Sequence, residues 1–126
     1  MSMTTVSNPY PNISLPAGAD EVCEWDAPGT PYAFRYFEAS SRVVPAVSED
    51  CHGSRPWSEP IQVWVAGTQY ADGRIKREIV VERLHPDGPI TIEQAQQLAA
   101  ALLEVTRAAE AADEIDGLAP TRTGSP

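Results

Sequence analysis

Apolar side chains recur with period two in the middle of the chain. Ile61, Val63 and Val65 fall on one phase, and Trp64 and Tyr70 on the other. After the turn pair Asp72-Gly73 a second run, RIKREIVVERL, is again rich in β-branched residues. Such alternation around an Asp-Gly pair predicts a β-hairpin over about residues 61–84, because Asp and Gly tolerate the positive φ that tight hairpin turns need. A two-residue loop at Asp72-Gly73 would pair Tyr70 with Ile75, Ala66 with Ile79 and Trp64 with Val81. One face of the hairpin would then carry Trp64, Tyr70, Ile75, Ile79 and Val81, and the other Ile61, Val63, Val65, Val80 and Leu84. Both faces are partly apolar, which predicts a bulge or a covered second face.

The pattern changes to helical spacing after Pro86, Gly88 and Pro89. Ile92, Ala95, Leu98, Ala99, Leu102, Val105, Ala109 and Ala112 recur at intervals of three and four, with Glu93, Glu104, Arg107, Glu110 and Asp113 directed elsewhere. Thr91 followed by Gln94 fits a capping box, and Gly117 supplies a stop. The predicted helix therefore runs from about 92 to 115. Upstream, Tyr32, Phe34 and Tyr36 alternate with Ala33, Arg35 and Phe37, so further strands are expected within residues 21–44. Together these elements predict an α+β fold: a small antiparallel sheet packed against one long C-terminal amphipathic helix. Residues 20–118 would form the single domain. Proline-rich and small polar residues mark 1–19 as a mobile or loosely draped tail and 119–126 as another.

Charge narrows the partners. The 126-residue chain carries 18 acidic and 9 basic side chains, a net charge of −9. Attraction to nucleic-acid phosphates or anionic lipid is disfavoured, so neither direct nucleic-acid nor membrane binding is expected. No run approaches the roughly 20 apolar residues of a membrane span, and the N-terminus lacks a signal-peptide pattern, which predicts a cytoplasmic protein. Cys23 and Cys51 could form one bridge, but reduced thiols are the ordinary state in that compartment.

The strings VWVAGTQYADGRIKREIVV and ITIEQAQQLAAALLEVTRAAEAADEI resemble small actinobacterial proteins of the mycobacterial and mycobacteriophage type. The resemblance rests on a G-x-Q-x-x-D-G-R hairpin, here Gly67, Gln69, Asp72, Gly73 and Arg74, followed by an alanine-rich helix. It covers about residues 20–118 and implies a source and a fold without an activity.

Candidate chemistry is sparse. Cys23, Cys51, His52 and His85 are the ligand-type Cys and His residues, and only Cys51-His52 is a close pair; adjacent side chains converge poorly on a tetrahedral ion, so no metal is expected. Asp50, Cys51 and His52 contain the elements of a nucleophile and base, but triads are assembled from separated segments, and a small enzyme using Cys51 and His52 is the weaker alternative. The proline-rich turn before the helix lacks the backbone donors of a phosphate site, so no cofactor is expected. What remains is surface. Trp57, in the loop SRPWSEP, together with Trp64 and Tyr70, offers interface anchors, although aromatic residues also fill cores. Arg74, Lys76, Arg77 and Arg83 form a basic strip along the second hairpin strand, suited either to protecting a sheet edge or to meeting the acidic helix of a second copy. The expected function is a non-catalytic protein-interaction or regulatory role, in the form of a phage or prophage accessory factor binding a host protein, with a homodimer allowed. The candidate interaction residues are Trp57, Trp64, Tyr70, Arg74 and Arg77. An acidic mimic of nucleic acid, with the helix carboxylates in a partner's basic groove, is the other alternative.

Overall fold

Gly73 sets the geometry of the central hairpin. In the computed structural model, which describes residues 8–46, 60–82 and 89–118, Gly73 has φ +97°. Its N–H donates to the Tyr70 carbonyl at 2.9 Å, and the Tyr70 N–H donates to the Arg74 carbonyl at 2.8 Å. The connection is thus a three-residue loop, Ala71-Asp72-Gly73, with glycine in the left-handed position that follows a tight turn. This corrects the two-residue loop expected from the sequence. The paired residues are Gln69 with Ile75, Val65 with Ile79 and Val63 with Val81. A register slip of one residue exchanges the faces of one strand relative to the other. Ile79 and Val81 consequently join Val63 and Val65, whereas Trp64 stands opposite Val80.

The hairpin strands β3 (Ile61–Tyr70) and β4 (Ile75–Glu82) belong to a four-stranded antiparallel sheet of order β1-β2-β3-β4. Its other strands are β1 (Glu21–Val22) and β2 (Phe34–Val44), the latter paired along the whole of β3. The register of β2 shifts between Ala39, opposite Val65, and Arg42, opposite Val63, leaving Ser40 and Ser41 against Trp64. Ser40 has φ +58°, and its N–H donates to Asp20 Oδ2 at 3.0 Å. Ala39 and Val44 are an odd number of residues apart and would point to opposite faces of a regular strand. The extra residue of the bulge brings both to the same buried face.

Helix α1 (Ile92–Ile115) lies across that face. Both halves of its capping box are formed: the Gln94 N–H donates to Thr91 Oγ1 at 2.9 Å, and the Thr91 N–H donates to Gln94 Oε1 at 3.2 Å. Gln94 also donates from Nε2 to the Pro45 carbonyl at 3.2 Å, so this polar side chain is buried at the helix start with its hydrogen bonds made. Its burial turns the helix. Ile92, Ala95 and Ala99, expected on the apolar stripe, face outward, and Ile92 is 80% exposed. The residues that pack are Leu98, Ala101, Leu102, Val105 and Ala109, against Ala39, Val44, Ile61, Val63, Val65, Ile79 and Val81.

Residues 8–20 drape over the remainder of the helix-side face. The Ser14 carbonyl accepts from Gln69 Nε2 at 2.9 Å, Pro16 is buried, and the Ala17 N–H donates to the Asp116 carboxylate at 3.2 Å.

Candidate interaction surface

Alternation along the strands divides the sheet into two unlike faces. The helix side holds Arg35, Phe37, Ala39, Val44, Ile61, Val63, Val65 and Gln69, all buried. The opposite side carries Phe34, Tyr36 and Val43 from β2, Trp64, Ala66 and Tyr70 from β3, and Val80 from β4. Tyr36 is 57% exposed and Val43 55%, while Phe34, Trp64, Tyr70 and Val80 are half-buried. Phe34 and Tyr36 meet edge to face with ring centroids 5.1 Å apart, an arrangement that favours the aromatic quadrupoles. Large apolar rings concentrated on one sheet face with their surfaces in water are the kind of patch that marks an interaction site.

Both margins of this face carry charged side chains, and Glu78 and Glu82 share the β4 margin with the basic residues there. Asp20, Glu21 and Glu38 lie on the β1–β2 side. Arg74 and Lys76 lie on the β4 side, where Lys76 Nζ is 3.3 Å from Glu78 Oε2. At the hairpin tip the Arg74 guanidinium sits 4.5 Å from the Tyr70 ring centroid and donates from Nε to Asp72 Oδ2 at 2.8 Å. Asp72 Oδ1 accepts from the Arg74 N–H at 3.0 Å. These bonds, first of all the one from the Arg74 backbone, hold the Asp72 carboxyl below its ordinary pKa.

Of the residues singled out in the sequence, Trp64, Tyr70 and Arg74 share this surface. Arg77 does not. It lies on the other face of β4, its side chain 2% exposed, bound to Asp113 Oδ1 at 2.7 Å, to the Asp116 carboxylate and to the Ala17 carbonyl at 3.2 Å. The acidic C-terminal turn of α1 thus has its basic partner within the same chain, and two carboxylates that the nucleic-acid-mimic reading would place in a partner's groove are occupied. Trp57, Cys51 and His52 lie outside the described residues, as do Arg83, Leu84 and His85. Among the described residues no group of three or more His, Cys, Asp or Glu is placed to hold a metal ion, and no helix is long and apolar enough to cross a membrane.

Tyr36 and Val43 are the most exposed apolar members of the surface, and reading the hairpin alone misses both. The alternation Phe34, Arg35, Tyr36, Phe37 contains half of that information, since it places Phe34 and Tyr36 on one phase. Val43 becomes visible only after the bulge is known. No family model, curated protein or solved structure matches the chain.

Proposed function

We propose that this chain is a non-catalytic interaction protein whose docking surface for another protein is the open face of the sheet. The observation that carries the proposal is the exposure of Tyr36 and Val43 beside Trp64 and Tyr70 on a face the helix leaves uncovered. Aromatic anchors of this kind contribute most of the binding energy in typical interfaces, and a sheet presents them on a rigid backbone that loses little freedom on binding. The actinobacterial source that the resemblance of the hairpin and helix implies makes an actinobacterial lysate the place to look for the partner.

The test compares wild type, Tyr36→Ser/Val43→Ser, and Ile92→Ser as an exposed control on the helix, each used as bait and each examined by sedimentation at rising concentration. A partner, or a second copy, held by wild type and Ile92→Ser but lost from the double variant is the expected result. Equal retention by all three moves the docking surface elsewhere. A chain that stays monomeric and captures nothing is not an interaction protein.

A further inference from the structure

Strand β4 forms one edge of the sheet, and among the described residues it pairs with β3 alone. Alternation fixes what that edge presents. The Tyr36 and Glu38 carbonyls accept from the Cys23 and Asp20 N–H groups on the β1 side, so Arg35 and Phe37 bond across to Gln69 and Gly67 of β3. The even-numbered residues of β3 then bond to β4 through Lys76, Glu78 and Val80. Ile75, Arg77, Ile79 and Val81 are left to turn their N–H and C=O groups outward. Arg77 shows that this outer row is open to water. Its side chain is 2% exposed, yet the residue as a whole is only half-buried, so the surface it offers is backbone. Val63 and Val65, in the strand alongside, are 0% and 1% exposed.

Proteins commonly spoil an open edge with a proline, a bulge or a very short strand. Strand β4 has none of these: Ile75–Glu82 contains no proline, and its register against β3 runs without a shift. The opposite edge is interrupted, both by the shortness of β1 and by the bulge in β2. We infer that β4 pairs antiparallel with the β4 of a second copy of this chain, about a two-fold axis that passes through Ile79 perpendicular to the sheet. Two four-stranded sheets would thereby become one continuous sheet with both helices on the same side.

Charge selects both the partner and the register. The open-face side chains of β4 are Lys76, Glu78, Val80 and Glu82 in chain order. Centred on Ile79, the pairing sets Lys76 opposite the second copy's Glu82, Glu82 opposite its Lys76, and Glu78 opposite its Val80. Centred on Glu78 it would set Glu78 against Glu78, and centred on Val80 it would set Glu78 against Glu82. Centred on Arg77 it would set Arg77 against Arg77 and shorten the ladder to residues 75–79. A charge pattern that is its own complement in one antiparallel register is met by a second copy of the same strand. In that register Ile79 faces Ile79 and Arg77 faces Val81, and these are the residues whose outward groups can exchange hydrogen bonds. Helix α1 packs chiefly against β2 and β3, which leaves Ile79 and Val81 half-buried at the edge, where the second copy would cover them.

Residues 76–82 of each copy make a smaller contact than the ~20–30 residues a side of a standard interface, so sedimentation equilibrium of the full chain should give a dimer with a Kd of about 10–100 μM. Lys76→Glu and Glu82→Lys, both at exposed positions, each set like charges opposite one another and should weaken self-association about tenfold. Mixed in equal amounts, the two variants should pair about as tightly as wild type, because a chain with acids at both positions then meets a chain with lysines at both. Amide hydrogen exchange locates the contact: the N–H groups of Arg77, Ile79 and Val81 should slow between dilute and concentrated samples, while those of Lys76, Glu78 and Val80 are protected in both. A wild-type chain that stays monomeric at about 1 mM, self-association that neither variant weakens, a mixture no tighter than its components, or exchange at Arg77, Ile79 and Val81 that is independent of concentration overturns the inference. The pairing uses the edge of the sheet and leaves the open face in water. Tyr36→Ser/Val43→Ser should still dimerise, so loss of a captured partner at the open face and loss of the edge pairing are separate readouts.

Discussion

Phe37 and Gly67 are directly opposed on β2 and β3, and the phenyl ring occupies the space a side chain at position 67 would need. A Cβ on Gly67 would overlap the Cζ and Cε1 atoms of the ring. Glycine inside a strand costs conformational entropy and gives up packing, and here the aromatic ring of its cross-strand neighbour fills the gap. Phe37 is 1% exposed, so its ring is enclosed by packed neighbours. Gly67→Ala should therefore destabilise the fold by about 1–3 kcal/mol, as overpacking does, where alanine in an unconstrained strand would stabilise it. Urea unfolding measures the difference, and a stabilised variant would show that the ring moves aside freely.

The Arg77 cluster makes a second prediction. Removing the guanidinium in Arg77→Met leaves the Asp113 and Asp116 carboxylates facing each other without their shared cation. Breaking a buried pair typically costs about 3–5 kcal/mol, and the partial exposure of Asp113, 35% for its side chain, puts the expected loss near the lower end of that range. Adding Asp116→Asn to Arg77→Met should recover part of the loss, because it removes one of the stranded charges. Denaturant melts of the single and double variants supply both numbers.

Asp72 should titrate below its ordinary value of 3.8, because the backbone N–H and the guanidinium of Arg74 both favour the charged form. A depressed folded-state pKa means that its support for the hairpin is fully present above 3.8 and disappears as the pH falls through the folded value. A carboxyl-carbon NMR titration reads the pKa directly. In Arg74→Ala the guanidinium bond is lost and the backbone bond remains, so only part of the depression should vanish.

Two substitutions locate the working face of the helix. Val105 is fully buried, and Val105→Ala should cost about 2 kcal/mol from lost transfer energy and the cavity left behind. Ile92→Ala, at an 80% exposed position, should stay within about 0.5 kcal/mol of wild type. The sequence stripe assigned both to the same face.

That error shows what period alone conveys. Helix start, length and stop follow from Thr91, Gln94 and Gly117, residues whose capping chemistry is local, and the antiparallel α+β arrangement follows from the alternation and the Asp-Gly turn. Register does not. Whether Gly73 closes a two- or three-residue loop depends on one φ angle, and that angle decides which apolar residues of β4 share a face with Val63. The bulge at Ser40 is equally opaque, because a serine at positive φ is held there by Asp20 and by the need to bury both Ala39 and Val44. Arg77 and Arg74 look alike in a basic strip, yet strand alternation sends one under the helix and the other to the hairpin tip. The surroundings of Trp25 depend on a segment, residues 8–15, whose composition suggests a loose tail and whose Tyr10 ring lies 4.7 Å from that of Trp25.

The hydrogen bonds between Ala17 and Asp116 give the fold a near-circular chain path. The first packed turn of backbone and the end of the last helix meet at one point, held together by Arg77. A short glycine-serine linker could join residues near 17 and 116, and new termini could be opened between Asp72 and Gly73 at the exposed hairpin tip, at the expense of the surface contact between Asp72 and Arg74. Such a permuted chain would begin on β4 and finish on β3, turning the most local strand pairing of the natural order into its most distant one.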